Sequence, residues 1–168
     1  SKIVILPVPF DGTTSWQKGT AEGPRAILEA SDILEWQDME TKTETYKNGI
    51  FTAPEIKAGS AQKTVEKVYE ETKKYLAEDK FVVTLGGEHS VSFGTIRAHL
   101  EKYPDASILH LDAHSDRRDS YQGDKFSHAS VMARTNEITD NIVSVGIRAM
   151  AKEEESLANR FEFGDGPN

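Results

Sequence analysis

Short apolar runs alternate with longer amphipathic segments along the chain. β-branched and apolar runs predict strands at 2–8 (KIVILPV), 81–87 (FVVTLGG), 106–114 (ASILHLDAH) and 141–148 (NIVSVGIR), with a short strand at 49–53 (GIFTA). Helices are predicted at 24–34, 60–80 and 90–103. The second is the clearest, because its apolar residues recur at intervals of three and four, namely Val65, Val68, Tyr69, Thr72 and Leu76. Short strands separated by helices predict parallel βαβ units.

Polar residues concentrate where two of these strands end. GGEHS places His89 after the strand at 81–87, and LDAHSDRRD places Asp112, His114 and Asp116 after the strand at 106–114. The carboxyl ends of parallel strands meet at one edge of a sheet, where ligands bind. If the two strands are neighbours, these four side chains converge.

Imidazoles and carboxylates without sulfur suit Mn, Fe, Co, Ni or Zn, and the carboxylates favour Mn. A carboxylate can bridge two ions, so Asp112 between His89 and His114 would indicate two metals that share and activate a water. The competing interpretation is that these polar groups simply meet solvent or cap the next helix.

Three other residues could lie near this edge, and each has its own interpretation. His128, in the loop segment KFSHASVMAR, is placed to act as a proton shuttle, although a surface histidine fits the spacing almost as well. For His110 we expect a hydrogen-bonded core residue that points away from the face used by Asp112. For Trp16, in TTSWQKGT, packing within its loop is expected rather than a place in a pocket wall.

Composition narrows the partners and the setting. The 168 residues, 37% of them hydrophobic, predict one domain over 1–168. A net charge of −8, with scattered basic residues, argues against nucleic acid and favours small or cationic partners. No apolar stretch is long enough for a membrane span, and the absence of cysteine excludes disulfides, so we expect a cytoplasmic protein.

Four segments in order, GGEHS, LDAHSDRRD, FSHASVMAR and VGIR, resemble the ureohydrolases, the family of arginase and agmatinase, and the agmatinase branch most. The resemblance implies a three-layer α/β/α fold with a mainly parallel sheet. It also implies two Mn²⁺ ions and hydrolysis of a guanidino compound, agmatine first, to urea and an amine by a metal-bridged hydroxide. His89, Asp112, His114 and Asp116 would be metal ligands and His128 the proton shuttle. Trimers or hexamers are implied as well.

The chain also departs from that family. Members continue further, with a serine-x-aspartate-x-aspartate segment that supplies two metal carboxylates and a glutamate that pairs with the guanidinium. Neither occurs here, and Asp165 has no aspartate two positions later. We therefore expect a truncated family domain whose second metal binds weakly. Two alternatives stay open: an inactive homologue that serves as a metal-binding or interaction module, and a zinc amide hydrolase of the histone-deacetylase kind.

Overall fold

The computed structural model of this chain describes residues 1–155 and the backbone of 161–162. In this part of the chain, strands and helices alternate in βαβ order. The strands are β1 (Ile3–Val8), β2 (Ile50–Thr52), β3 (Phe81–Gly86), β4 (Ile108–Leu111), β5 (Ile142–Val145) and β6 (Phe161–Glu162). The helices are α1 (Gly23–Ser31), α2 (Ala61–Ala77), α3 (Ser92–Lys102) and α4 (Val131–Asn136). The predicted α/β class is confirmed.

All the strand pairs formed by the described residues are parallel, and they make two three-stranded sheets. The strand orders are β2-β1-β3 and β4-β5-β6. β1 and β3 pair over their full length, from Ile3 beside Phe81 to Val8 beside Gly86. Among the described strands, β3 pairs only with β1 and β4 only with β5, so the two strands that carry the predicted ligands belong to different sheets.

Helix α2 forms where the apolar periodicity predicts it. The Ser60 side chain accepts a hydrogen bond from the Lys63 backbone N–H at 3.4 Å and caps the first turn. The residues that recur at three- and four-residue intervals are all buried, while lysines and glutamates face outward. The pattern therefore identified both the helix and its inner face.

Helices α2, α3 and α4 provide the core that joins the two sheets. On one side of α2, Val68 and Leu76 pack in a cluster with Val4 and Leu6 of β1. On the other side, Val65 belongs to a second cluster, with Phe93, Val131, Met132 and Ile142. Phe126 packs against both clusters. One helical layer thus packs against strands of both sheets.

The opposite face of the second sheet is open. Leu109 and Leu111 of β4 are 64% and 70% exposed, and Val143 of β5 is 45% exposed. In the described part of the chain no helix covers these side chains. Parallel sheets usually bury both faces, so this surface is unusually apolar for its position.

Helix α1 is shorter than predicted. It ends at Ser31 rather than at 34, and Pro24 is its one buried residue. Ile33 and Leu34, which the apolar pattern placed inside the helix, follow it and are exposed, as are Ile27, Trp36 and Met39. The pattern here marked a surface apolar segment rather than a core helix face.

The longest described helix, α2, has 17 residues and a charged outer surface. A bilayer span needs about 20 consecutive apolar residues. None of the helices in residues 1–155 is both long and apolar enough to cross a membrane.

The contact between α2 and α3 depends on Gly94. A Cβ at this position would lie 2.4 Å from the Val65 carbonyl oxygen and 2.9 Å from the Tyr69 backbone nitrogen. We expect Gly94→Ala to lower the free energy of unfolding by about 2 kcal/mol, because backbone atoms would have to move apart. Urea denaturation followed by circular dichroism measures this. Gly59→Ala is the control, since a Cβ there meets nothing within 4 Å; equal stability of the two variants would contradict the prediction.

Candidate functional site

The loops that follow β1 and β3 are locked together at the carboxyl ends of the strands. The Glu88 backbone N–H donates to the Phe10 carbonyl oxygen at 2.8 Å. A Cβ on Gly87 would lie only 1.9 Å from that oxygen, so only glycine fits this crossing. Gly87 in GGEHS therefore allows the two backbones to come together, just before His89.

The four predicted ligands converge, and Asp112 lies at their centre. Its Oδ2 is 3.5 Å from His89 Nδ1, and its Oδ1 is 3.5 Å from His114 Nδ1. Asp116 also contacts His89, with its Oδ2 2.7 Å from His89 Nδ1. His89 and Asp116 are largely shielded, whereas the His114 side chain is 67% exposed. The two oxygens of Asp112 thus face two different histidines.

The backbone of Asp116 adopts a left-handed conformation, with φ at 50°. Its carbonyl oxygen accepts hydrogen bonds from the Met132 and Ala133 backbone N–H groups, at 2.9 and 3.3 Å. Aspartate tolerates this conformation better than most residues. The first turn of α4 therefore fixes the turn that aims the Asp116 carboxylate at His89.

The expectation for His110 was half wrong. It is buried and its Nδ1 lies 3.1 Å from Ser144 Oγ, as expected for a hydrogen-bonded core histidine. It does not point away from Asp112, however, because residues two apart on a strand share a face. Its Nε2 has no hydrogen-bond partner and lies 3.5 Å from Asp112 Oδ2, and its ring stacks on His89 with centroids 5.5 Å apart.

Burial and neighbouring charges set the protonation states of this pair. Burial, helped by the neighbouring His89, holds the pKa of His110 below its ordinary value despite the nearby carboxylates. Burial raises the pKa of Asp112, but the His114 backbone N–H and the imidazoles of His89 and His110 lower it more. The pKa of Asp112 therefore lies below its usual range. At neutral pH the site holds a carboxylate beside a neutral buried imidazole.

Donor atoms of three side chains, His89, His110 and Asp112, lie within 4.8 Å of one another. With Asp116 and His114 adjoining, the cluster offers imidazole nitrogens and carboxylate oxygens from two strand ends. This donor set suits a borderline divalent cation. The buried Nε2 of His110, which has no hydrogen-bond partner and only a 3.5 Å contact with Asp112 Oδ2, is a further polar atom whose burial an ion or an ion-bound group would explain.

His128 lies across the same cavity and is held by the loop after β1. Its backbone N–H donates to Thr13 Oγ1 at 3.0 Å, and its two ring nitrogens lie 3.3 Å from hydroxyl oxygens, Nδ1 from Thr13 Oγ1 and Nε2 from Ser15 Oγ. The Tyr121 and His128 rings make a T-shaped contact, with their centroids 5.5 Å apart. His128 and the four predicted ligands all line one cavity of about 590 Å³.

Two buried carboxylates that were not predicted brace the loops around this cavity. Glu88 accepts hydrogen bonds from the backbone N–H and hydroxyl of Thr13 and from the Ser90 hydroxyl. Glu154 accepts from the Ser115 hydroxyl and from the backbone N–H groups of Arg117 and Ala151. Glu88 stands within GGEHS and could have been noticed as a charge at a strand end. Glu154 lies in an acidic stretch where the sequence offers no signal.

Other acidic residues near the site do not join it. Asp119 pairs with Arg134 at 2.7 Å and with Lys125 at 3.5 Å. Asp124 accepts from the Phe126 backbone N–H at 2.8 Å. Asp165 lies outside the described residues.

Trp16 was expected to pack within its loop. This expectation is wrong, because Trp16 is 90% exposed and lines the cavity.

Parallel strands whose ends gather histidines and carboxylates around one cavity define an α/β domain with a candidate metal site. Residues 1–164 match the family model described as the arginase family. The chain therefore belongs to the arginase family, as its four motifs predicted.

Two curated relatives illustrate the relationship. An agmatinase of Bacillus cereus is 39% identical over 158 residues, which cover 92% of this chain and 54% of the relative. An N(1)-aminopropylagmatine ureohydrolase of Thermus thermophilus is 39% identical over 162 residues, 95% of this chain and 55% of the relative. The chain thus spans about half the length of the curated relatives it matches.

Solved structures agree with the arginase-type α/β fold. The agmatine ureohydrolase of Thermoplasma volcanium superposes with a TM-score of 0.87 at 29% identity, over 97% of this chain and 56% of that one. An arginase from Medicago truncatula gives 0.83 at 28% identity, over 96% and 55%. The coverage of these structures again stops near half of their length.

Glu154 is expected to contribute strongly to the stability of the loops that carry Asp116. Glu154→Ala would leave three hydrogen-bond donors without their acceptor, so we expect a loss of about 2–4 kcal/mol in the free energy of unfolding. Urea denaturation measures this loss, and Glu155→Ala, an exposed neighbour, should change it by less than about 0.5 kcal/mol. A Glu154→Ala variant as stable as Glu155→Ala would show that water satisfies these donors.

Proposed function

We propose that this chain carries the metal-binding and proton-transfer residues of a manganese-dependent ureohydrolase. The reaction converts a guanidinium compound and water to urea and an ammonium ion. One observation carries the proposal: the two oxygens of Asp112 divide between His89 and His114, each 3.5 Å from an Nδ1 atom. A carboxylate placed between two imidazoles is suited to bridge two cations.

The residues present fit such a metal centre. His89, Asp112 and Asp116 would hold one Mn²⁺, and Asp112 with His114 would contribute to a second. Imidazole and carboxylate together suit several divalent metals, and the carboxylates favour Mn²⁺ among them. When bound, the metal supplies a Lewis acid that activates water as a nucleophile at neutral pH.

The surrounding residues support the remaining steps. His128, beside Thr13 and Ser15, would accept a proton from the attacking water and pass it to the amine as the carbon–nitrogen bond breaks. Both the nucleophilic oxygen and the leaving amine are thereby served by groups of this chain.

The names of the relatives support a substrate with a long cationic tail. Agmatinase and N(1)-aminopropylagmatine ureohydrolase are both named for agmatine-type compounds. The exposed ring of Trp16 and the side chain of Tyr121 also line the cavity. Aromatic faces accept alkyl chains and distal cations, which is consistent with agmatine as the first substrate to test.

Charge balance favours occupancy of a single metal position in the 168-residue chain. Two divalent cations bring four positive charges, and Asp112 with Asp116 offset two of them. Among the described residues, no further carboxylate belongs to the cluster: Glu88 and Glu154 each accept three hydrogen bonds from protein donors instead. We propose that this chain binds one Mn²⁺ tightly at most, and that a second needs additional ligands.

Assembly and compartment remain proposals. We propose a homo-oligomer, a trimer or hexamer as the family resemblance implies, and the exposed apolar side chains of Ile33, Leu34 and Trp36 are consistent with contact between copies. We propose the cytoplasm as the compartment, in keeping with a sequence that contains no cysteine.

The role of Asp112 as a metal ligand is tested by titration calorimetry of the chelator-stripped 168-residue chain with Mn²⁺. Asp112→Asn removes the negative charge and one acceptor oxygen. We expect its Mn²⁺ affinity to fall beyond the roughly 10–100-fold that loss of an outer hydrogen-bond partner costs. Asp105→Asn, the same substitution at an exposed turn, should leave affinity unchanged. Unchanged binding in Asp112→Asn would refute the assignment.

The activity is tested with protein expressed from the reading frame that encodes these residues. Urea release from agmatine, arginine and guanidinobutyrate is compared after loading with Mn²⁺. We expect His128→Ala to retain its manganese and to lose about 100-fold or more in turnover, since general acid-base groups contribute that much. His99→Ala, on the partly exposed side of α3, is the matched control.

Three outcomes would overturn parts of this assignment. Loss of manganese in His128→Ala would make His128 a ligand instead. A fully loaded protein that releases no urea from any of the three compounds would favour the metal-binding module. Robust turnover by the 168-residue chain alone would contradict the single-metal proposal.

A further inference from the structure

Thr13, a residue with no charge and no metal-ligating role, lies at the junction of a hydrogen-bond chain. Its hydroxyl oxygen has three polar neighbours: the Glu88 Oε1, the His128 backbone N–H at 3.0 Å and the His128 Nδ1 at 3.3 Å. A threonine hydroxyl has one proton to donate and two lone pairs to accept with. The identity of each partner therefore decides how the proton of His128 is placed.

Glu88 decides the first of these bonds. Its carboxylate is buried and accepts from three donors, the Thr13 backbone N–H at 2.7 Å, the Ser90 hydroxyl at 2.6 Å and the Thr13 hydroxyl. A carboxylate only accepts, so the single Thr13 hydroxyl proton points at Glu88.

The remaining two bonds follow from that assignment. The His128 backbone N–H can only donate, and it occupies one lone pair of Thr13 Oγ1. The other lone pair faces His128 Nδ1. An unprotonated Nδ1 would set two lone pairs against each other, so a neutral ring must carry its proton on Nδ1.

We infer that Thr13 and Glu88 are positioning residues for His128, which they hold in the tautomer with the proton on Nδ1 and the lone pair on Nε2. The inference deepens the proposed function, because it rests on His128 as the proton-transfer residue. Nε2 lies 3.3 Å from Ser15 Oγ, a residue that lines the cavity. This leaves the basic nitrogen at the cavity wall, where the Tyr121 ring makes a T-shaped contact with the imidazole.

Such an arrangement matters because the histidine must present the correct nitrogen before any proton moves. A hydroxyl relay from a buried carboxylate performs here the orienting role that a direct carboxylate–imidazole bond performs in other sites. It also gives the buried Glu88 a role: its carboxylate orients the Thr13 hydroxyl, whereas the Asp112 and Asp116 carboxylates belong to the cluster.

Nitrogen NMR of the metal-free 168-residue chain tests the tautomer directly. Two-bond ¹⁵N–¹H correlation spectra recorded at a pH where imidazoles are neutral distinguish the protonated nitrogen from the bare one. His128→Gln identifies the signals that belong to His128. We expect a protonated Nδ1 and a bare Nε2 in the unmodified chain; a proton on Nε2 would overturn the inference.

Variants at position 13 test the cause. Thr13→Val keeps the side-chain shape and removes the hydroxyl, so the Nε2-protonated tautomer should gain population, whereas Thr13→Ser should restore the Nδ1-protonated form. Thr14→Val is the control, because its hydroxyl bonds to the Asp11 carbonyl oxygen rather than to His128. If Thr13→Val has a native amide spectrum and an unchanged tautomer, Thr13 is not a positioning residue.

An activity measurement separates this inference from the proposed function. In protein that releases urea, Thr13→Val should lower turnover by less than the roughly 100-fold expected on removal of the imidazole, with manganese content retained. The tautomer is read without metal or substrate, so absence of urea release would count against the proposed function alone. A wrong tautomer in an active protein would count against this inference alone.

Discussion

The parallel direction of the strands within each sheet, β1 with β3 and β4 with β5, is the constraint on which the rest of this structure depends. Parallel strands cannot be joined by tight turns, so each connection from β1 to β5 crosses back through a helix, and the strands of one sheet end at the same edge. The loops after β1, β3 and β4 lie close together. The bond from the Glu88 N–H to the Phe10 carbonyl oxygen, at 2.8 Å, fixes the first two, and the bond from Asp112 N–H to Val145 oxygen, at 3.2 Å, fixes the third to β5.

The sequence predicted elements well where one physical effect dominated. Helix α2 buries each of its periodic apolar residues, and β1 and β3 lie within the predicted strands. Prediction was wrong where apolar residues had no partner to cover them, as in Ile33 and Leu34 beyond α1. Periodicity reports what could be buried, but burial also requires a second surface. The division of the strands into two sheets was likewise invisible, because pairing depends on contacts distant in the chain.

The candidate site divides in the same way. Side chains that act through their own chemistry, such as His89 and Asp112, stood out at strand ends and do converge. Residues that act through hydrogen bonds to others did not: Thr13 and Glu154 look ordinary until their partners are known. His110 was misjudged for another reason, since strand alternation places it on the same face as Asp112 and its burial hid the polar contact. Roles of this kind require coordinates.

The two faces of β4 have opposite environments. His110 faces Asp112 and the helices, while Leu109 and Leu111 face outward. Substitutions at the outward positions can change one side chain at a time. Deletion or insertion of a single residue before 110 would instead exchange the two faces, driving leucine into the polar cluster and the imidazole outward. During evolution this segment can therefore vary in composition far more readily than in length, and the same holds for attempts to graft its motif onto another strand.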